Sequence, residues 1–466
     1  MPTPTALRGA ALLGGALLVA LAAASACQTY DFEPVAPLAI RQTQTSVDVE
    51  ALANKPNFLL LVDKSGSMDQ PVDPTNPACH VGGVNGPLCG DPQKENPCDA
   101  GVCPTRWSEL SKALTGFVDT YPLIGRYGLS MFPEPKKSDG GVCTASECDL
   151  CDQTTHETAP LPTSATDDDA TLQAAAGATR DALLQVGSCS TGSLPGPTCT
   201  GGGTPTAASL AFLTSVPALV TSSNREQIVI LFTDGLPNCN PALGSLAGTA
   251  ACQCTFGPNP DDCAQGLPPF DGAGCLDVDQ AVKVIQTLGQ KSVQTFVVGF
   301  GAELGTVSAR DTLQRMAVAG ATRHPQVCPG TPPSQPCDKV LPDGGVLANP
   351  CDLATGLCSR QYYVAQDASS LGQVLTEITK PVAGVCERFL TEVPDDPQLL
   401  SVLVNGTPYA SGPDTWVYVS PSETTPVTHQ NGPAVVFVDG KPLCDQLRAS
   451  TAQAPVKVQI RILKIL

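Results

Sequence analysis

Asn57-Phe58-Leu59-Leu60-Leu61-Val62-Asp63-Lys64-Ser65-Gly66-Ser67 is the stretch on which the reading of this chain turns. Five apolar residues follow one another without a polar break, the pattern of a strand buried on both faces rather than on one. The run stops at Asp63, and the residues after it place two hydroxyls and a glycine on a tight turn. Similar runs recur at Tyr127–Phe132, Ile228–Phe232 and Val293–Phe300, with a weaker one at Tyr362–Ala365. Between them, helical spacing covers Trp107–Tyr121, Leu172–Val186, Thr206–Val216, Val278–Leu288, Thr312–Val318 and Leu371–Ile378. Strands alternating with helices predict an α/β fold, a doubly wound and mostly parallel sheet flanked by helices. Ligands of such sheets sit beyond the carboxyl ends of the strands, where Asp63 and Asp234 are expected.

Three loops bring oxygen to that rim. Asp63, Ser65 and Ser67 share the first turn, and Thr233-Asp234-Gly235 ends the Ile228 strand. Gly201-Gly202-Gly203-Thr204-Pro205-Thr206 leads into a helix. Oxygen-only donors suit magnesium, calcium or manganese better than zinc or copper. Two carboxylates offset the charge of a divalent ion and three hydroxyls add none, leaving one octahedral position for water or for a carboxylate from outside. Other readings of these residues are weaker. The glycine-rich loop lacks the lysine a phosphate loop needs before its Ser or Thr. A nucleophilic serine would need a positioned base, and neither the elbow motif nor a nearby histidine is evident. In the plainest alternative, Ser65 and Ser67 cap loop amides and no metal binds. Asp167-Asp168-Asp169 reads as a helix start, where acidic residues meet the dipole favourably, or as a separate calcium site.

The pattern Asp63-x-Ser65-x-Ser67, then Gly-Gly-Thr204, then Thr-Asp234-Gly, resembles the metal-ion-dependent adhesion site of von Willebrand factor type A domains. Gly299-Phe300-Gly301 is similar to that family's fifth strand end. The resemblance covers residues 56–382 and implies a Rossmann-like fold. It also implies a metal held directly by Ser65, Ser67 and Thr204, with Asp63 and Asp234 acting directly or through water. Magnesium is the first expectation, calcium or manganese the others. The implied function is binding of a protein partner that presents Asp or Glu to the metal, with no catalytic residues. Two other classes stay open: an envelope component whose metal only stabilises the fold, and a hydrolase with its site in the inserts.

Composition narrows the setting. Lys and Arg number 26 against 44 Asp and Glu, a net charge of -18, which repels phosphate backbones and argues against nucleic acid as a partner. The 21 cysteines point to an oxidising compartment, since four scattered histidines and a single C-x-x-C, Cys148 to Cys151, make a poor zinc pattern. Residues 1–26 read as a signal peptide, with Arg8 before the apolar stretch Ala10–Ala23. Ala24-Ser25-Ala26-Cys27 resembles a bacterial lipobox, which implies acylation of Cys27 and membrane attachment through the lipid alone. Gln28 next to it implies the outer membrane. Ordinary signal-peptidase cleavage is the alternative, giving a periplasmic or secreted protein, because Ala24 stands where the lipobox usually has Leu. Setting Cys27 aside leaves 20 cysteines, an even number that can pair completely.

Four segments are expected: the signal peptide, a tether over 28–55, the metal-binding domain over 56–382, and a small β-rich module over 383–466. Inserts at 69–104, 134–168, 187–203, 236–276 and 325–360 hold 4, 3, 2, 5 and 4 cysteines. The odd counts require the second and fourth inserts each to send a bridge elsewhere, and a disulfide between those two is the simplest solution. In the module, Leu399–Val404, Trp416–Val419, Val435–Val438 and Val456–Ile462 read as strands. A bridge between Cys386 and Cys444 would tie the last helix to it.

Overall fold

A computed structural model of the chain describes residues 45–464 apart from 50, 53–54, 84, 91–95, 97, 135–150, 152–155, 164–166, 188–199, 222–224, 235, 241–251, 256–273, 302–306, 321–337, 341–345, 351–357, 383–385, 391, 424, 427–431 and 449–455. Cys27, the expected signal peptide and Gly235 lie outside the described residues. The chain divides into two compact units, Met1–Val47 with Leu463–Leu466, and Asp48–Ile462. The second unit holds every site discussed below.

Its centre is a five-stranded parallel sheet built from β3 (Asn57–Asp63), β4 (Arg126–Phe132), β5 (Gln227–Thr233), β6 (Val293–Phe300) and β9 (Tyr363–Ala365), in the order β4-β3-β5-β6-β9. Every residue of β3, β4, β5 and β6 is buried, and the alternation of side chains explains why the sequence is continuously apolar. Phe58, Leu60, Val62, Ile228, Ile230 and Phe232 belong to one hydrophobic cluster with Leu110 and Leu114 of α1 (Arg106–Thr120). Leu59, Leu61, Val229 and Leu231 belong to another, with Leu210 of α3 (Thr206–Leu213) and Ile285 of α5 (Val278–Gln290). The remaining helices of this part are α2 (Asp169–Leu184), α4 (Pro217–Val220), α6 (Val307–Ala319) and α7 (Ala368–Val382). The register aligns Asp63 with Phe132 and Val62 with Phe232, so the acidic ends of β3 and β5 share one rim.

The helix starts are set by local chemistry. Thr105 caps α1 in a reciprocal box with Ser108. Asp168 caps α2 by accepting from the Thr171 amide at 2.9 Å. Its neighbour Asp167 is committed elsewhere, pairing with Arg126 at 3.1 Å and Arg225 at 3.0 Å and accepting from the Lys55 amide at 2.8 Å. These bonds give Asp167 and Asp168 the roles of ion-pair hub and helix cap, and the structure supports the helix-start reading of the acidic triplet.

The C-terminal part consists of short antiparallel strands. β10 (Glu387–Leu390), β14 (Ala434–Phe437) and β13 (Trp416–Val419) form one sheet, and β15 (Val458–Lys464), β11 (Leu400–Val404) and β12 (Thr407–Tyr409) pair in another. A short helix, α8 (Pro442–Arg448), precedes β15, and a hairpin of β7 (Lys339–Val340) with β8 (Val346–Leu347) lies in the last insert. Two features differ from the expected segmentation. The end of the expected tether is structured, as β1 (Thr45–Val49) and β2 (Ala51–Leu52), and β2 pairs with β10 through Leu52 and Phe389. The hydrophobic cluster on one face of the central sheet also continues without a break through Ile378 of α7 into Val402, Val435 and Ile460. Isolated two-residue strands carry no periodicity, which is why β2 was invisible in the sequence.

Five disulfides join described residues: Cys79–Cys103, Cys89–Cys98, Cys151–Cys239, Cys252–Cys275 and Cys386–Cys444. The third links the second insert to the fourth, and the last lies within the C-terminal part. Cys79, Cys89 and Cys103 sit close enough to suggest a metal cluster, but all three sulfurs are committed to disulfides. Among the described residues no helix is long and apolar enough to cross a membrane.

Candidate metal centre

Asp63 closes β3 with its side chain fully buried. One carboxylate oxygen accepts from the Ser65 amide at 2.8 Å, and the other accepts from the Thr233 hydroxyl of β5 at 2.8 Å. The first bond tightens the turn so that Ser65 and Ser67 project together, their hydroxyl oxygens 3.0 Å apart. Ser67 in turn donates to Asp234 Oδ1 at 2.9 Å. Ser65, Ser67 and Asp234 thus form a continuous run of oxygens, with Asp63 tied to it through the Ser65 amide.

The loop that carries Thr204 lies against the same turn. The Gly66 amide donates to Gly202 O at 3.0 Å, the Gly201 amide donates to Lys64 O at 2.7 Å, and Thr200 donates to Asp69 at 2.6 Å. These bonds stitch the glycine-rich loop to the Asp63 turn. On its far side, Asn238 accepts from the Thr204 amide at 2.7 Å while its own amide donates back to Thr204 O at 3.0 Å. Gly203 is required by close approach: a Cβ there would lie 2.6 Å from Cys239 Sγ and 3.3 Å from Cys151 Sγ. The disulfide between the two inserts therefore abuts the loop that carries Thr204.

The electrostatics favour a cation. Two fully buried carboxylates face the same few oxygens, and the Asp63 carboxyl is held above the ordinary carboxylate range, first by burial and then by the negative charge of Asp234. Lys64 is buried at the same turn. Burial pushes its ammonium down to about 8, against the opposing pull of Glu134 and Asp63. The spacing of the donors also fits. An octahedral ion with ligands at about 2.1 Å places adjacent ligand oxygens about 3 Å apart, matching the 3.0 Å and 2.9 Å separations along Ser65, Ser67 and Asp234. Calcium, with bonds of about 2.3–2.6 Å, would need that edge to widen.

Two residues of the site escaped the sequence. Asn238 left only the weak sign of an amide four residues beyond an acidic strand end. Arg106, at the first turn of α1, donates to Asp234 Oδ2 through Nη1 at 2.5 Å and is 4% exposed at its side chain. It follows a long insert, and nothing in the local pattern points from there to the rim.

No family model and no curated protein matches this chain. Among solved structures, the pilus adhesin SpaC from Lactobacillus rhamnosus GG is similar at 14% identity, over 89% of this chain and 40% of that one, with a TM-score of 0.36. A manganese-loaded TRAP protein of Plasmodium vivax has 14% identity over 82% and 88%, with a TM-score of 0.32. The proximal thread matrix protein 1 of the mussel byssus, solved with a zinc-occupied MIDAS motif, has 10% identity over 74% and 50%, with a TM-score of 0.31. This chain spans less than half the length of the pilus adhesin. All three TM-scores fall below 0.5. A parallel sheet ordered β4-β3-β5-β6-β9, covered by helices and carrying this run of hydroxyls and carboxylates at its carboxyl rim, is the doubly wound α/β arrangement expected from the sequence.

Proposed function

We propose that this chain is an exported protein that holds a divalent cation of magnesium size through Asp63, Ser65, Ser67, Thr204 and Asp234. It uses the open position of that ion to bind a carboxylate presented by a protein partner at the cell envelope. The observation that carries this reading is the run Ser65–Ser67–Asp234 at 3.0 Å and 2.9 Å, backed by two buried carboxylates. A bond from an outside carboxylate to the metal is directional and charge-assisted, so a single acidic side chain can anchor a modest interface. Export is supported by the disulfides, which persist in oxidising compartments. Acylation of Cys27 and an outer-membrane location belong to the same proposal, as does the absence of a catalytic role.

The test has two parts. Calorimetry on the oxidised protein should detect uptake of Mg2+ or Mn2+ by the wild type and none by Asp63→Ala. A pull-down from envelope extracts, with and without chelator, should recover a partner only with the metal-loaded wild type. Retention of the partner by a folded, metal-free Asp63→Ala protein would assign the ion a structural role alone, and no uptake by the wild type would remove the metal from the account.

A further inference from the structure

Asn238 joins two loops of the site that the sequence keeps apart. It stands four residues after Asp234 in the chain, at the start of the fourth insert, and is 6% exposed. Its side-chain oxygen accepts from the Thr204 amide at 2.7 Å, and its backbone amide donates to Thr204 O at 3.0 Å. A Cβ on Gly203 would lie 3.0 Å from that same side-chain oxygen, so the glycine before Thr204 leaves the room that Asn238 uses. The Thr204 loop is thus held from both sides. On one side Gly201 and Gly202 are bonded to the turn of Asp63, and on the other Asn238 ties Thr204 to the loop that leaves Asp234.

Asn238 is itself fixed in place. Its side-chain amide donates to the Thr255 hydroxyl at 3.2 Å, and that hydroxyl donates to Gly274 O at 2.8 Å. The Thr255 amide donates to the same carbonyl at 2.9 Å, the Asp277 amide donates to Pro237 O at 2.9 Å, and the Cys252–Cys275 bridge closes the frame. Next to Asn238, Cys239 adopts a left-handed backbone, φ +68, and is tied to Cys151. We propose that Asn238 is a positioning residue that clamps Thr204 to the Asp234 loop and thereby sets the choice of ion, favouring Mg2+ or Mn2+ over Ca2+. The proposal rests on the metal-binding reading above. Mg2+ demands near-ideal octahedral donors at about 2.0–2.1 Å, whereas Ca2+ takes more oxygens at about 2.3–2.6 Å, so donors on loops that cannot draw apart disfavour the larger ion. The run Ser65, Ser67 and Asp234 is already spaced for the smaller one. Asn238 extends that constraint to Thr204, which comes from a different loop.

The test measures Mn2+ and Ca2+ affinities of the wild type, Asn238→Ala and Thr255→Val by calorimetry, with melting in the absence of metal to monitor folding. The wild type should bind Mn2+ more tightly than Ca2+. Asn238→Ala should lose about tenfold or more in Mn2+ affinity, the scale on which residues that orient metal ligands act, and far less in Ca2+ affinity. Thr255→Val removes the hydroxyl that supports Asn238 and leaves both bonds to Thr204 in place. It should shift the ratio of the two affinities in the same direction, and it keeps the test available if Asn238→Ala fails to fold. A general loosening of the structure would weaken both ions alike, so the ratio reports positioning. A ratio unchanged by these substitutions, or a wild type with no preference for Mn2+ over Ca2+, overturns the role of Asn238. Absence of Mn2+ uptake by the wild type overturns instead the metal reading beneath it.

Discussion

The disulfide between Cys151 and Cys239 joins two inserts and presses on Gly203, next to Thr204, so its removal should be felt in both stability and metal binding. The bridge closes a loop of 88 residues. Loop-closure entropy for that length gives about 15 cal/mol/K, or about 4.6 kcal/mol at room temperature. Spread over an unfolding entropy of about 2 cal/mol/K per residue, this corresponds to a fall in melting temperature of about 5 °C. The double variant Cys151→Ser with Cys239→Ser avoids a lone thiol and should show that loss in urea unfolding of the oxidised protein. Its Mn2+ affinity should also drop, because Asn238, which exchanges two hydrogen bonds with Thr204, is the direct neighbour of Cys239. A variant within about 1 kcal/mol of the wild type that binds Mn2+ equally well would refute the claim that this bridge braces the site.

Other perturbations separate the parts of the molecule. The matching double variant Cys386→Ser with Cys444→Ser opens a loop of 58 residues and should cost about 4 kcal/mol in urea unfolding. Its Mn2+ affinity, measured by calorimetry, should stay at the wild-type value. Asp167→Ala strips the counter-charge from Arg126 and Arg225, whose side chains are 4% and 3% exposed, and should cost about 3–5 kcal/mol by urea unfolding. The Asp277 carboxyl is pushed up to about 7 by burial and by Asp279, so its neutral form is favoured by folding. Its contribution to stability is complete below about pH 4 and is lost as pH rises through about 7. Asp277→Asn should therefore gain stability relative to the wild type at pH 8 and not at pH 4, as read by thermal melting across that range.

The central sheet was legible because parallel strands covered on both faces must be continuously apolar, and β3, β5 and β6 wrote that requirement plainly. The rim was legible for a related reason: Asp63, Ser65 and Ser67 are adjacent in the chain, and Asp234 follows its strand directly. Arg106 was not, since its contact with Asp234 spans 128 residues and depends on the backbone of Gly301 from a third element. Strand β2 was missed because two residues cannot display a period, and its pairing with β10 is supplied by a partner more than 300 residues away. Helix α8 was missed for a similar reason. Its seven residues fall below the length at which helical spacing stands out, and its Leu443 and Leu447 are buried against the neighbouring strands' cluster.

The pairing of Leu52 with Phe389 and of Ala51 with Leu390 has a mechanical consequence. The α/β body is spliced into the β part as a loop would be, leaving from β2 and returning at β10, two strands that lie side by side. Tension entering at β2 or at β10 meets this short zipper before it meets β3 or the residues of the rim. A pull on either of those strands would thus be borne first by backbone hydrogen bonds at the splice, leaving the rim undistorted.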